Sequence, residues 1–175
     1  HQLIDDMQAL NATYGEVIDN GIAYIEGLLE EAITTEARDG SDATGVMPLA
    51  YGDGGIGGRR IEYTTPCWTL TGLNLLKGVT EALPEDRAAR VEQLYTRLME
   101  RFRHYVAKDT AYTPEGTPYL PMAVTSSGQH HWVPDYPETP PVWHHLNPGS
   151  GTWALAHAIY PGELFAADDP IVTNF

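Results

Sequence analysis

An all-α chain carrying one long irregular loop is the fold class predicted, and three observations predict it. Apolar residues recur at steps of three and four through three separate stretches, the period of helices that bury one face. Two of those stretches meet at Pro84-Glu85-Asp86, a tight proline-containing turn that makes them a helical hairpin. Between Thr113 and Gly151 the helical period vanishes, and eight prolines share the segment with Tyr119, Trp132, Tyr136, Trp143 and four histidines.

The first stretch carries Ile4, Met7, Leu10, Tyr14, Val17, Ile18, Ile22, Ile25, Leu29 and Ile33, which predicts a helix over about residues 3–36 with candidate breaks at Gly15 and Gly21. From Asp39 to Gly58 the composition turns to Gly, Asp, Ser and Pro, including Gly52-Asp53-Gly54-Gly55. Backbone freedom makes regular structure costly there, so this is read as a loop. Trp68, Leu70, Leu73, Leu75, Leu76, Val79 and Leu83 predict a strongly apolar second helix over residues 66–83. A third spans 85–108 with the stripe Val91, Leu94, Leu98, Phe102 and Tyr105. Its acids sit near its start, where the helix dipole favours them. Residues 113–150 form the long loop; disordered segments are poor in aromatics, so this one is read as functional. A short buried helix is expected at 151–160. Asp168-Asp169-Pro170 supplies a cap and a first-turn proline for a last helix at 170–175.

The chain has 175 residues with 42% apolar content, enough for one domain with its own core. It carries 24 Asp and Glu against 10 Lys and Arg, a formal net charge of -14, which repels phosphate backbones and anionic lipid alike. Nucleic acid and membrane are therefore excluded as expected partners. A single cysteine, Cys67, rules out an internal disulfide framework and a cysteine-based zinc site, and leaves the compartment open. A capped helix ending after about six residues is marginal by itself, so the chain is expected to be a segment of a longer protein.

Four features carry possible chemistry. The pairs His130-His131 and His144-His145, with Asp135 and Glu138, offer imidazole and carboxylate ligands, but their spacing matches no metal motif, and no metal or other cofactor is expected. A metal-dependent enzyme is the third reading. Trp132, Tyr136, Trp143 and Trp153 interleave with those acids and histidines. Flat aromatic faces cover the apolar faces of sugar rings while carboxylates and imidazoles take the hydroxyls, so carbohydrate is the expected partner. Asp53, Glu62, Asp135 and Glu138 lie in or beside non-helical segments, as the two carboxyl groups of glycoside hydrolysis would. His1 is followed by helical periodicity, unlike the β-sandwich copper enzymes that use an N-terminal histidine.

The hairpin followed by Tyr112-Thr113-Pro114-Glu115-Gly116-Thr117-Pro118-Tyr119-Leu120-Pro121 resembles one unit of the α/α-toroid, or six-hairpin, glycosidases. Gly149 to Pro161, with its Thr152-Trp153-Ala154-Leu155-Ala156-His157 core, and Phe165 to Val172 resemble the next inner helix, its turn and the next outer helix. The resemblance covers about residues 60–175 and implies a ring of helical hairpins around a cleft, of which this length holds about half. It implies Glu138 or Asp135 as the acid and Asp53 or Glu62 as its partner. Arg60, Trp132, Tyr136, Trp143, His144 and His145 then serve as sugar contacts. The remainder of the domain, or a second copy of the chain, would complete the ring. A noncatalytic helical module that binds sugar or protein through the same aromatic loop is the rival reading.

Overall fold

The computed structural model describes residues 2–40, 44–48, 50–51, 59–122, 124 and 152–174. Helices hold 69% of them, so the chain is all-α. Among the described residues no helix is long and apolar enough to cross a membrane.

α1 runs Gln2–Asp39 without a break. Gly15 and Gly21 each cost a helix about 1 kcal/mol relative to alanine, and tertiary packing overrides the cost. Gly15 has a specific reason to be glycine: a Cβ there would sit 3.2 Å from an Arg87 guanidinium nitrogen, which donates to the Gly15 carbonyl. The loop after α1 contains a short antiparallel pair, β1 (Ala50–Tyr51) with β2 (Arg59–Arg60).

α2 spans Thr64–Lys77 and tolerates Pro66 because first-turn N–H groups have no helical acceptor anyway. It stops at Gly78, short of the expected Leu83. A 3₁₀ turn at Thr80–Ala82 then buries Ala82 and Leu83 and hands the chain to Pro84. α3 spans Glu85–Asp109, with Glu85 and Asp86 at the positive end of its dipole. The hairpin β3 (Ala111–Tyr112) with β4 (Pro118–Tyr119) turns at Gly116, whose φ of 88° suits glycine. α4 is Thr152–Ile159. α5, Pro170–Thr173, is capped as the sequence predicts: the Asp169 carboxylate accepts from the Ile171 N–H at 2.8 Å.

The helices pack in a defined order: α1 on α3, α3 on α2, α2 on α4. α1 and α3 are joined by a ladder in which Asp19, Glu26, Glu30 and Glu36 pair in turn with Arg87, Arg90, Arg97 and Arg101. Because both series ascend together, the two helices point the same way. α2 runs against α3: Tyr63, just before its start, reaches Asp109 at the end of α3, while Lys77 at its end meets Glu92. One core draws Ile22 and Leu29 from α1, Cys67, Leu70 and Leu73 from α2, Val91, Leu94, Leu98 and Phe102 from α3, and Leu155 and Ala158 from α4.

The last rung is the best shielded. Arg101 grips Glu36 through two bonds of 2.8 and 2.7 Å, and its other donors reach the Val46 and Gly45 carbonyls of the following loop. Tyr105 and Thr44 also donate to Glu36. Partial burial alone would raise the Glu36 pKa, but the Arg101 and Tyr105 hydrogen bonds outweigh it and hold the carboxyl below its ordinary value of 4.5. A folded-state pKa lowered in this way contributes stability above pH 4.5 that is lost as pH falls through the folded value. Glu36→Gln is therefore expected to destabilise the fold by about 2 kcal/mol at pH 7. In urea unfolding, its deficit against the wild-type chain should shrink below pH 4.5. A deficit independent of pH would contradict the assignment.

Candidate functional site

The approach to α2 is built by close backbone contacts. The Tyr63 N–H donates to the Met122 carbonyl at 2.8 Å and the Val124 N–H to the Ile61 carbonyl at 3.2 Å, laying the segment after β4 along Ile61–Tyr63. Gly45 closes over this pairing with a φ of 64°; a Cβ there would meet Ile61 and Val124 methyls at 2.8 Å. Glycine is required on both counts. Glu62 thus enters the protein at 4% exposure, immediately ahead of the α2 N-terminus.

Two neighbouring groups are chemically quiet. The Tyr63 hydroxyl donates to Asp109 at 2.7 Å, and burial together with that carboxylate drives its pKa far upward, so it stays a neutral donor. Cys67 is fully buried and burial raises its thiol pKa, which removes the thiolate a nucleophile needs.

The exposed feature is Trp68, 44% accessible in the second turn of α2. Its indole lies on the His157 ring of α4, centroids 4.0 Å apart and planes tilted by 34°. One turn on, Gly72 has nothing within 4 Å of where a Cβ would be, so the same helical face continues open to solvent. The pairing of the two rings is held from below. Asn74 donates to the Gly162 carbonyl at 3.0 Å, the Gly162 N–H donates to His157 at 3.0 Å, and Thr71 donates to the same His157 carbonyl at 3.4 Å. Gly162 fits because a Cβ would fall 2.5 Å from Thr71 Oγ1 and 2.6 Å from the His157 oxygen.

Of the residues singled out from sequence, Glu62 is set at the α2 approach, and the Arg60 backbone pairs with Ala50 in β2. Asp53, Trp132, Asp135, Tyr136, Glu138, Trp143, His144 and His145 lie outside the described residues, as do His130 and His131. Sequence reasoning missed the partnership of Trp68 with His157. The apolar run places Trp68 in the stripe of its helix, yet Trp68, Gly72 and Leu75 form a separate line at helical spacing, offset from the buried Cys67, Leu70 and Leu73. That offset was the available signal. Among the described residues no group of three or more His, Cys, Asp and Glu could hold a metal ion.

No family model, curated protein or solved structure matches the chain.

Because the Gly162 turn holds α4 on α2, Gly162→Ala is expected to cost about 1–3 kcal/mol by overpacking. The denaturation midpoint measures that cost, and near-ultraviolet circular dichroism should report loss of the fixed Trp68 environment.

Proposed function

We propose that the chain is a glycoside hydrolase-like segment of α/α-toroid type, acting on an oligosaccharide or sugar conjugate by paired-carboxylate chemistry. The observation that carries this reading is the exposed indole of Trp68, backed by His157 where α2 and α4 meet, on the helix that Glu62 precedes. An aromatic face held rigid and open to water is suited to the apolar face of a pyranose ring, and it is bound at little conformational cost. The packing order supports the same reading: α1 and α3 run together as one layer, with α2 and α4 adjacent as the next, the relation of outer and inner helices in stacked hairpins.

In this reading Glu62 is one of the two carboxyl groups, and Asp53, Asp135 or Glu138 supplies the other. One protonates the leaving glycosidic oxygen; the second activates water or attacks the anomeric carbon, their separation deciding inversion or retention. Arg60, Trp132, Tyr136, Trp143, His144 and His145 take sugar hydroxyls and ring faces. No cofactor is needed for this chemistry.

The test is a panel of oligosaccharides assayed for binding by calorimetry and for release of reducing ends. Trp68→Ala is expected to weaken binding of the recognised glycan about tenfold. Glu62→Gln should lower turnover by at least about 100-fold while binding persists. Binding without turnover in the wild-type chain would favour a noncatalytic module, and binding indifferent to Trp68→Ala would end the reading.

A further inference from the structure

Segment 44–48, between α1 and β1, is buried throughout yet belongs to no helix or strand. Val46 and Met47 are part of the core. Side chains tie its backbone in place: Arg101 donates to the Gly45 and Val46 carbonyls, and the Thr44 hydroxyl is shared between Glu36 and the Ala32 carbonyl. These bonds converge on one carboxylate, because Glu36 holds both arms of the Arg101 fork and accepts from Tyr105 as well. Among the described residues, the charged and titratable groups facing Glu36 are Arg101 and Tyr105 of α3. Behind Tyr105 stand His104, edge-on with ring centroids 5.2 Å apart, and Lys108, its ammonium 6.0 Å from the ring centroid.

We infer that Glu36 is the catch of an acid-operated latch: protonating it frees segment 44–48 from α3 and, through Gly45, loosens the Ile61–Tyr63 approach that carries Glu62. The step follows from what protonation removes. A neutral carboxyl can still hydrogen-bond, but it no longer compensates the charge of Arg101, whose side chain is only 16% exposed. An uncompensated guanidinium is far better hydrated than buried, so it turns to water and takes its donors from the Gly45 and Val46 carbonyls. Buried carbonyls without donors draw the segment toward solvent. Gly45 passes the motion on, since it lies so close to Ile61 and Val124 that a Cβ would meet the methyls of both at 2.8 Å, and those two residues are joined by the Val124 N–H to Ile61 carbonyl bond.

The outer rungs of the ladder are built differently. Arg90 and Arg97 meet Glu26 and Glu30 helix to helix, and among the described residues no loop carbonyl hangs on either arginine. The pH sense is fixed by the fold, which holds the Glu36 carboxyl below its ordinary value of 4.5. The latch is therefore shut above pH 4.5 and opens as pH falls through the folded value. It is a property of the fold and stands apart from whatever reaction Glu62 serves.

Methionine oxidation by dilute hydrogen peroxide, followed by peptide mass spectrometry, reads the latch directly, because Met47 of the segment and Met99 of α3 are equally withdrawn from water, at 3% and 4% exposure. Glu36→Gln at neutral pH imitates the protonated carboxyl without titrating the other acids. It is expected to raise the rate of Met47 oxidation relative to Met99 at least about tenfold, as local opening requires. In the wild-type chain the same ratio should rise as pH is lowered from about 6 to about 3.5, whereas in Glu36→Gln it should be high already and independent of pH. The Tyr63 and Val124 amides should lose hydrogen-exchange protection with it, relative to Leu94 and Leu98 of α3, and Glu30→Gln should leave both readouts unchanged. A ratio unmoved by Glu36→Gln, an equal rise in Glu30→Gln, or Tyr63 and Val124 keeping full protection while Met47 opens would each overturn the inference.

Discussion

The pairing of Glu36 with Arg101 is the contact on which the rest of this architecture depends. It joins the last turn of α1 to the second half of α3 and, through the Val46 and Gly45 carbonyls, pins the loop that follows. Both side chains are largely withdrawn from water, at 16% and 18% exposure, so the bond is less screened than the outer rungs. Arg97 with Glu30, for comparison, is about half exposed and belongs with surface pairs worth a few tenths of a kcal/mol to about 1. Arginine suits the inner position because its planar fork satisfies both carboxylate oxygens while further donors reach backbone.

From that anchor the construction follows in steps. Segment 44–48 is fixed, and Gly45 can then close on Ile61 and Val124. That contact places Ile61–Tyr63, which carries Glu62 and starts α2. The Tyr63 bond to Asp109 ties the same point back to the end of α3. α2 in turn supports α4 through Asn74 and Thr71, bringing His157 under Trp68. A ladder made of charge thus governs the position of an aromatic surface on the far side of the core.

Much of the helical skeleton was legible in the sequence because each helix is written in local periodicity. Val91, Leu94, Leu98 and Phe102 are all buried, and Asp169 caps α5 as its position before Pro170 implies. What local pattern cannot convey is partnership between distant segments. Gly15 reads as a break in a helix, whereas it makes room for Arg87, far along the chain. Asp19, Glu26 and Glu30 of α1 and the arginines of α3 recur at helical spacing, but only their meeting in space, with Glu36 added from the next face, turns two charged faces into a ladder. Gly78 ended α2 earlier than its apolar run implied, since a 3₁₀ turn could bury Ala82 and Leu83 equally well. At the candidate site, Glu62 was legible as an acid beside non-helical structure; Trp68 was hidden among core leucines because α2 mixes threonines with apolar residues on every side, so its composition does not say which side faces water.

The most direct measurement of the central claim is a double-mutant cycle on Glu36 and Arg101, using Glu36→Gln, Arg101→Met and the pair, with unfolding free energies from urea titration at neutral pH. A coupling of about 2 kcal/mol is expected for a shielded, bidentate ion pair joining two helices. Additive effects, within the roughly 0.3–0.5 kcal/mol seen for independent sites, would mean that α1 and α3 are not held together through this contact, and the chain of positions built on it would lose its foundation.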